Sequence, residues 1–221
     1  MDTSSIVKPK TNVVSMSILV LLLFIRLIVR QVLDQVNPDL SFPIYLLSSY
    51  LLIGVFLTIN RGHLSQFFIR FKGTRQAVIE GLVLWIVLGV AAGIAEAYVL
   101  LGHISWGSPI LVVMAILNGF LTAAIIEEVI FRGILLGYLH QWTVQAIPAI
   151  LIQGTLFASG HVRYLVAFDA KNLFLFGVVS LSGLLFGWQA LRHKTILGTI
   201  LTHALSNATI FLFIGGSLTK L

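Results

Sequence analysis

Apolar residues run along this chain in seven blocks, at about 13–33, 43–60, 76–101, 109–139, 147–161, 173–191 and 195–214. Most are close to the roughly 20 residues that cross a hydrocarbon core as an α-helix. The pattern predicts an all-α fold: a polytopic transmembrane helix bundle of about seven helices, forming a single membrane domain over 1–221. The block at 109–139 is longer than one span needs, so it should tilt or extend beyond the lipid. The block at 147–161 is short for a span and reads as a helix buried in protein. An eighth, broken segment arises if 161–175 re-enters the membrane. The first block follows Lys8 and Lys10, but it is too long for a signal-peptide core and no small-x-small site follows it. It reads as the first transmembrane helix.

Composition strengthens the membrane reading. The chain is 58% hydrophobic and only 10% charged, against about 25% charged in soluble domains. The net charge of +6 therefore reports topology and is not a nucleic-acid footprint. The absence of cysteine excludes disulfides, a thiolate nucleophile and Cys-ligated metal. Positive charge gathers in the 61–75 loop (Arg61, Arg70, Lys72, Arg75), in the 192–194 turn (Arg192, Lys194) and before the first block, while 102–108 has no Lys or Arg. This places the N-terminus in the cytoplasm and the C-terminus outside, although Arg163 and Lys171 run against the pattern. The stretch "FFIRFKGTR" (67–75) reads either as a basic amphipathic element on the membrane surface or as a solvated, topology-setting loop. "GVAAG" (89–93) and "GLLFG" (183–187) are small-xxx-small patterns, which let helix backbones approach closely in lipid.

Ionisable residues inside apolar blocks are the candidates for chemistry, because each costs about 2.5–3.5 kcal/mol at the bilayer centre. In "AAIIEEVIFRG" (123–133), Glu128 and Arg132 are four apart and share a helix face. Glu127 points about 100° away from Glu128, so Glu128 can neutralise Arg132 while Glu127 is left to act as a base. Both acids could equally belong to one structural ion-pair network. His161 ends the fifth block, with Phe157 one turn back on the same face. His203 and Asn207, four apart in "ILTHALSNA", present an imidazole and a carboxamide on one face. The carboxamide can donate to an oxyanion or simply bridge two helices. With the inferred orientation, Glu127, His161 and His203 lie about 12–21 Å from the cytoplasmic ends of their helices, so three helices can deliver them to one pocket. Arg26 and Glu96 form a second candidate pair, in the outer half of the membrane.

"EEVIFR" fits an EExxxR pattern, "FASGH" fits FxxxH, and "HALSN" fits HxxxN. In this order and within apolar segments, they resemble the family of CAAX prenyl proteases and bacteriocin-processing or immunity proteins, the CPBP or Abi family. The motifs cover about 120–212, inside a motif-bearing core at 109–214. The resemblance implies an intramembrane endopeptidase, or a homologue without activity. It implies that Glu127 and His161 activate water, that His203 and Asn207 stabilise the tetrahedral oxyanion, and that Glu128, Arg132 and Phe157 support the site. The family has been described both as metalloproteases and as glutamate-dependent enzymes. Metal-independent Glu/His chemistry is the preferred reading and zinc stays open beside it; if zinc is used, Glu127, His161 and His203 have the right donor types.

Partners implied are the bilayer and a peptide or protein substrate, lipidated or membrane-anchored in some members, with no nucleic acid. The setting that fits is a bacterial plasma membrane. Two alternatives stand beside the protease: a non-proteolytic immunity or scaffolding protein, and a transporter. A transporter should show paired, broken halves, whereas the buried motif groups lie in the second half of this chain.

Overall fold

The computed structural model describes residues 21, 28–29, 32–33, 35–165 and 168–215. The first predicted block lies largely outside the described residues, and Arg26 lies wholly outside them, so its pairing with Glu96 does too. The other six blocks are helices: α1 (Pro38–Ile59), α2 (Thr74–Leu101), α3 (Ile110–Thr143), α4 (Ala146–Ser159), α5 (Ala170–His193) and α6 (Leu197–Phe213). Extended pairing among the described residues is confined to one parallel bridge, Ser105 with Ile214. Pro38 stands in the first turn of α1, where its missing N–H costs nothing. Asp169 caps α5, accepting from the Asn172 N–H at 2.7 Å. α2 ends at Gly102, with φ +77°, a conformation that suits glycine.

The burial pattern is that of a membrane protein. α1, α2, α3 and α5 are long and apolar enough to cross a bilayer, yet only 17–33% of their most apolar windows is buried inside the protein. Leu47 and Ile59 face outward, while Glu128, Arg132, Gln153 and Gln189 are fully enclosed. Apolar side chains turned out and polar ones turned in invert the usual pattern, and lipid is the solvent that fits them. The chain is an integral membrane protein.

α6 lies against α2, α3 and α5, and α4 packs on α5 and on the end of α3. Glycines set these contacts. A methyl group on Gly93 would stand 3.0 Å from Thr209 Cγ2, and one on Gly183 would stand 3.3 Å from the Gly154 carbonyl oxygen. The two small-residue patterns thus serve the α2–α6 and α4–α5 crossings.

Three sequence expectations change. The 67–75 stretch is not an amphipathic surface helix: a 3₁₀ turn over Leu64–Phe67 tucks Phe67 and Phe68 into the core. Phe67 packs on Phe56 and Tyr138, with ring centroids 4.8 and 5.0 Å away. Gly133 and Gly137 clear the space beneath it. Backbone bonding then holds the loop, because Ile196 N–H donates to Phe68 O at 3.1 Å.

Next, α4 is short as expected, at 14 residues, but it is not buried all round. Ala149, Gln153 and Phe157 are enclosed, whereas Ile147 and Leu151 are exposed on the other side. Last, the described part of 161–175 makes no extra span. It is a 3₁₀ turn over Val162–Leu165, followed by the start of α5 at Ala170.

Candidate active site

The motif-bearing helix α3 is not wound uniformly. Gly119–Ala124 and Glu128–Leu135 are π-helical, with i→i+5 bonds and fewer degrees per residue than an α-helix, a winding often found at functional sites. The 100° spacing used for Glu127 and Glu128 therefore does not hold through this stretch. The Glu128–Arg132 contact forms nevertheless. Arg132 Nη1 donates to Glu128 Oε1 at 2.9 Å, and both side chains are completely buried.

Arg132 is enclosed further by α4 and α5. Its guanidinium carbon lies 4.0 Å from the Phe157 ring centroid and 5.4 Å from that of Phe186. Its Nη2 reaches toward the Gly183 carbonyl, at 3.5 Å. The aromatic faces supply the attraction of a ring quadrupole for a cation.

The structure adds a link that helix periodicity could not provide. His203 of α6 directs Nδ1 to the same Glu128 oxygen, at 2.8 Å, and its Nε2 lies 3.9 Å from Glu127 Oε2. The imidazole therefore sits between the two acids. Since the Glu128 carboxylate only accepts, His203 Nδ1–H donates to it as Arg132 does, and this leaves Nε2 to face Glu127 and the pocket. Glu128 is the anchor of both Arg132 and His203, not of Arg132 alone. Glu127 keeps 19% of its side chain exposed, whereas Glu128 has none.

His161 closes α4. Its Nδ1 lies 3.1 Å from Phe157 O, and a carbonyl only accepts, so Nδ1 carries the proton and Nε2 is the acceptor. Phe157 stands between the histidines, its ring centroid 5.1 Å from His161 and 6.5 Å from His203. Tyr164 stacks on His161 at 6.4 Å. Asn207 is one turn from His203 on α6 and half-buried, and its carboxamide makes no hydrogen bond among the described residues. Its Cβ lies beside Gly119 of α3, where a methyl group would meet it at 3.4 Å.

Helices α3, α4 and α6 thus gather Glu127, Glu128, Arg132, Phe157 and His203, and His161 adjoins this cluster through the Phe157 ring. Sequence reasoning missed Phe186, whose ring lies 5.7 Å from that of His203. It sits inside "GLLFG", which signalled helix packing only. Zinc would need Glu127, His161 and His203 to converge. Among the described residues no group of three His, Asp or Glu side chains is placed to hold a metal ion. The Nδ1 contacts of His203 with Glu128 and of His161 with Phe157 O nevertheless leave each Nε2 turned the other way, as in metal-ligating histidines.

An all-helical membrane bundle that buries an acid–imidazole cluster is the class of protein this fold and site define. Residues 108–209, a little under half of the chain, match the family model for type II CAAX prenyl endopeptidases, Rce1-like. The resemblance carried by the three motifs is borne out over that segment, and the family supports an endopeptidase of CAAX-protease type. No curated protein and no solved structure matches the chain.

Proposed function

We propose that the protein is an intramembrane endopeptidase that hydrolyses a peptide or protein substrate at the Glu127/His203 pocket. The single observation that carries this reading is the seating of His203 between two acids, one fully buried and one partly open. A purely structural ion pair needs Glu128 and Arg132 alone. It gives no reason for a second acid beside the free imidazole nitrogen.

In this mechanism Glu127, with His161 Nε2 as an acceptor, takes a proton from water as the water attacks the scissile carbonyl. The tetrahedral oxygen then gathers negative charge. Asn207 donates to it through the carboxamide, and His203 donates through Nε2 when that nitrogen carries a proton. Glu127 is the nearby acid with which Nε2 can share the proton. Glu128 and Arg132 hold His203 in register from behind. The substrate is a membrane-anchored or otherwise membrane-delivered polypeptide, the setting is a bacterial plasma membrane, and the N-terminus and the positively charged loops face the cytoplasm.

Purified protein in detergent, offered a quenched fluorescent peptide, tests the proposal. Hydrolysis by the wild type and none by Glu127→Gln is the expected result. No cleavage of any of a diverse peptide set by the folded wild type would favour an immunity or scaffolding role.

A further inference from the structure

At one end of the bundle, the inward-turned loop meets the turn between α5 and α6. Arg70 Nε donates to Lys194 O at 2.7 Å, and Thr195 Oγ1 donates to Arg70 O at 2.8 Å. Lys194 takes a left-handed backbone, φ +55°, and its ammonium lies 5.5 Å from the centroid of the buried Phe68 ring. Two cations are thereby fixed side by side. Burial, and then the charge of Arg70, hold the Lys194 ammonium below its ordinary range, as like charges in proximity require.

Among the described residues no acid pairs with them. The nearest acid in sequence that reaches this end, Glu80, is engaged by Arg192 at 3.3 Å and His193 at 3.0 Å. Among the described residues, the terminal nitrogens of Arg70 and the ammonium of Lys194 have neither a carboxylate nor a hydrogen-bond acceptor. A rigid pair of uncompensated cations, with a planar guanidinium fork on offer, is matched in shape and charge by a phosphate group.

We propose that Arg70 and Lys194 bind the phosphate of an anionic phospholipid headgroup at this end of the bundle. The lipid is favoured over soluble phosphate by Phe71. This phenyl ring is 85% exposed beside Arg70, at the level where α5 leaves the membrane, and an aromatic side chain there belongs among lipid headgroups and acyl chains. Lys72, exposed on the other side of Phe71, adds to the attraction.

The test is thermal melting of the detergent-solubilised protein during titration with phosphatidylglycerol, phosphatidylcholine or inorganic phosphate. Phosphatidylglycerol should raise the melting temperature saturably, and the other two should not at the same concentration. Lys194→Gln should weaken the apparent affinity for phosphatidylglycerol about fivefold, and adding Arg70→Gln should weaken it about 30-fold, since each cation near an anionic surface contributes similarly. Arg70→Lys separates charge from structure: it loses the bond to Lys194 O but should keep most of the lipid response. Equal stabilisation by phosphatidylcholine, or an unchanged response in Lys194→Gln, would overturn the proposal. Equal stabilisation by inorganic phosphate would overturn lipid as the occupant.

Discussion

Replacing Glu128 by glutamine removes one charge from a cluster that has no water to compensate it. Arg132 is fully buried, and among the described residues its 2.9 Å bond to Glu128 is its only ion pair at hydrogen-bonding distance. Afterwards it keeps the 3.5 Å contact with Gly183 O and the faces of Phe157 and Phe186. A cation–π contact contributes about 0.5–2 kcal/mol, whereas breaking a buried ion pair by removing one partner costs about 3–5 kcal/mol. The rings cannot make up the loss. For a chain of this size, where 1 kcal/mol shifts melting by about 2–4 °C, Glu128→Gln should melt roughly 6–20 °C lower.

Removing both charges should behave differently. Glu128→Leu with Arg132→Met puts apolar groups of similar volume in the same space, and such replacements are often neutral or stabilising. The double variant should therefore regain most of the lost stability, while turnover stays low because His203 has lost its Nδ1 acceptor. Detergent melting of both variants and the wild type, with peptide turnover in parallel, completes the assay. A loss below about 1 kcal/mol in Glu128→Gln, or a double variant no more stable than the single one, would refute the claim that Arg132 depends on this carboxylate.

Glu127→Gln should abolish hydrolysis while leaving the melt nearly unchanged, because among the described residues its only ion-pair contact is the 3.9 Å approach of His203; retained turnover would remove Glu127 as the base. Asn207→Ala should lower kcat by about 100- to 1000-fold with KM little changed, the usual loss for one oxyanion donor. A KM effect with kcat intact would instead make Asn207 a ground-state contact. Gly137→Ala should destabilise by about 1–3 kcal/mol through overpacking, since the new methyl would stand 2.8 Å from Phe67 Cδ1 and 3.1 Å from Phe67 Cα. An unchanged melt there would show that the 64–68 loop does not dock under α3.

Much of the fold is legible along the chain because it depends on length and local spacing. The apolar blocks that became α1 to α6 exceed or approach a bilayer's thickness, and a polar group has few places to go in lipid. The Glu128–Arg132 pair is likewise local, since four residues along one helix bring the two side chains together whatever surrounds them. The small-residue patterns at 89–93 and 183–187 marked close crossings, but not which helix would arrive.

Tertiary structure alone decided the rest. His203 meets Glu128 from 75 residues away because α6 packs along α3, and no periodicity within either helix contains that crossing. The π winding of Glu128–Leu135 turns its side chains by amounts that an α-helical count cannot supply. The basic stretch at 67–75 reads as a surface element or a solvated loop, yet Phe67 and Phe68 are buried, Phe67 fitting the gaps at Gly133 and Gly137. A sequence declares which surfaces must avoid or seek lipid. Which buried surfaces then meet is settled by the fit of one helix against another, and that fit exists only in the assembled bundle.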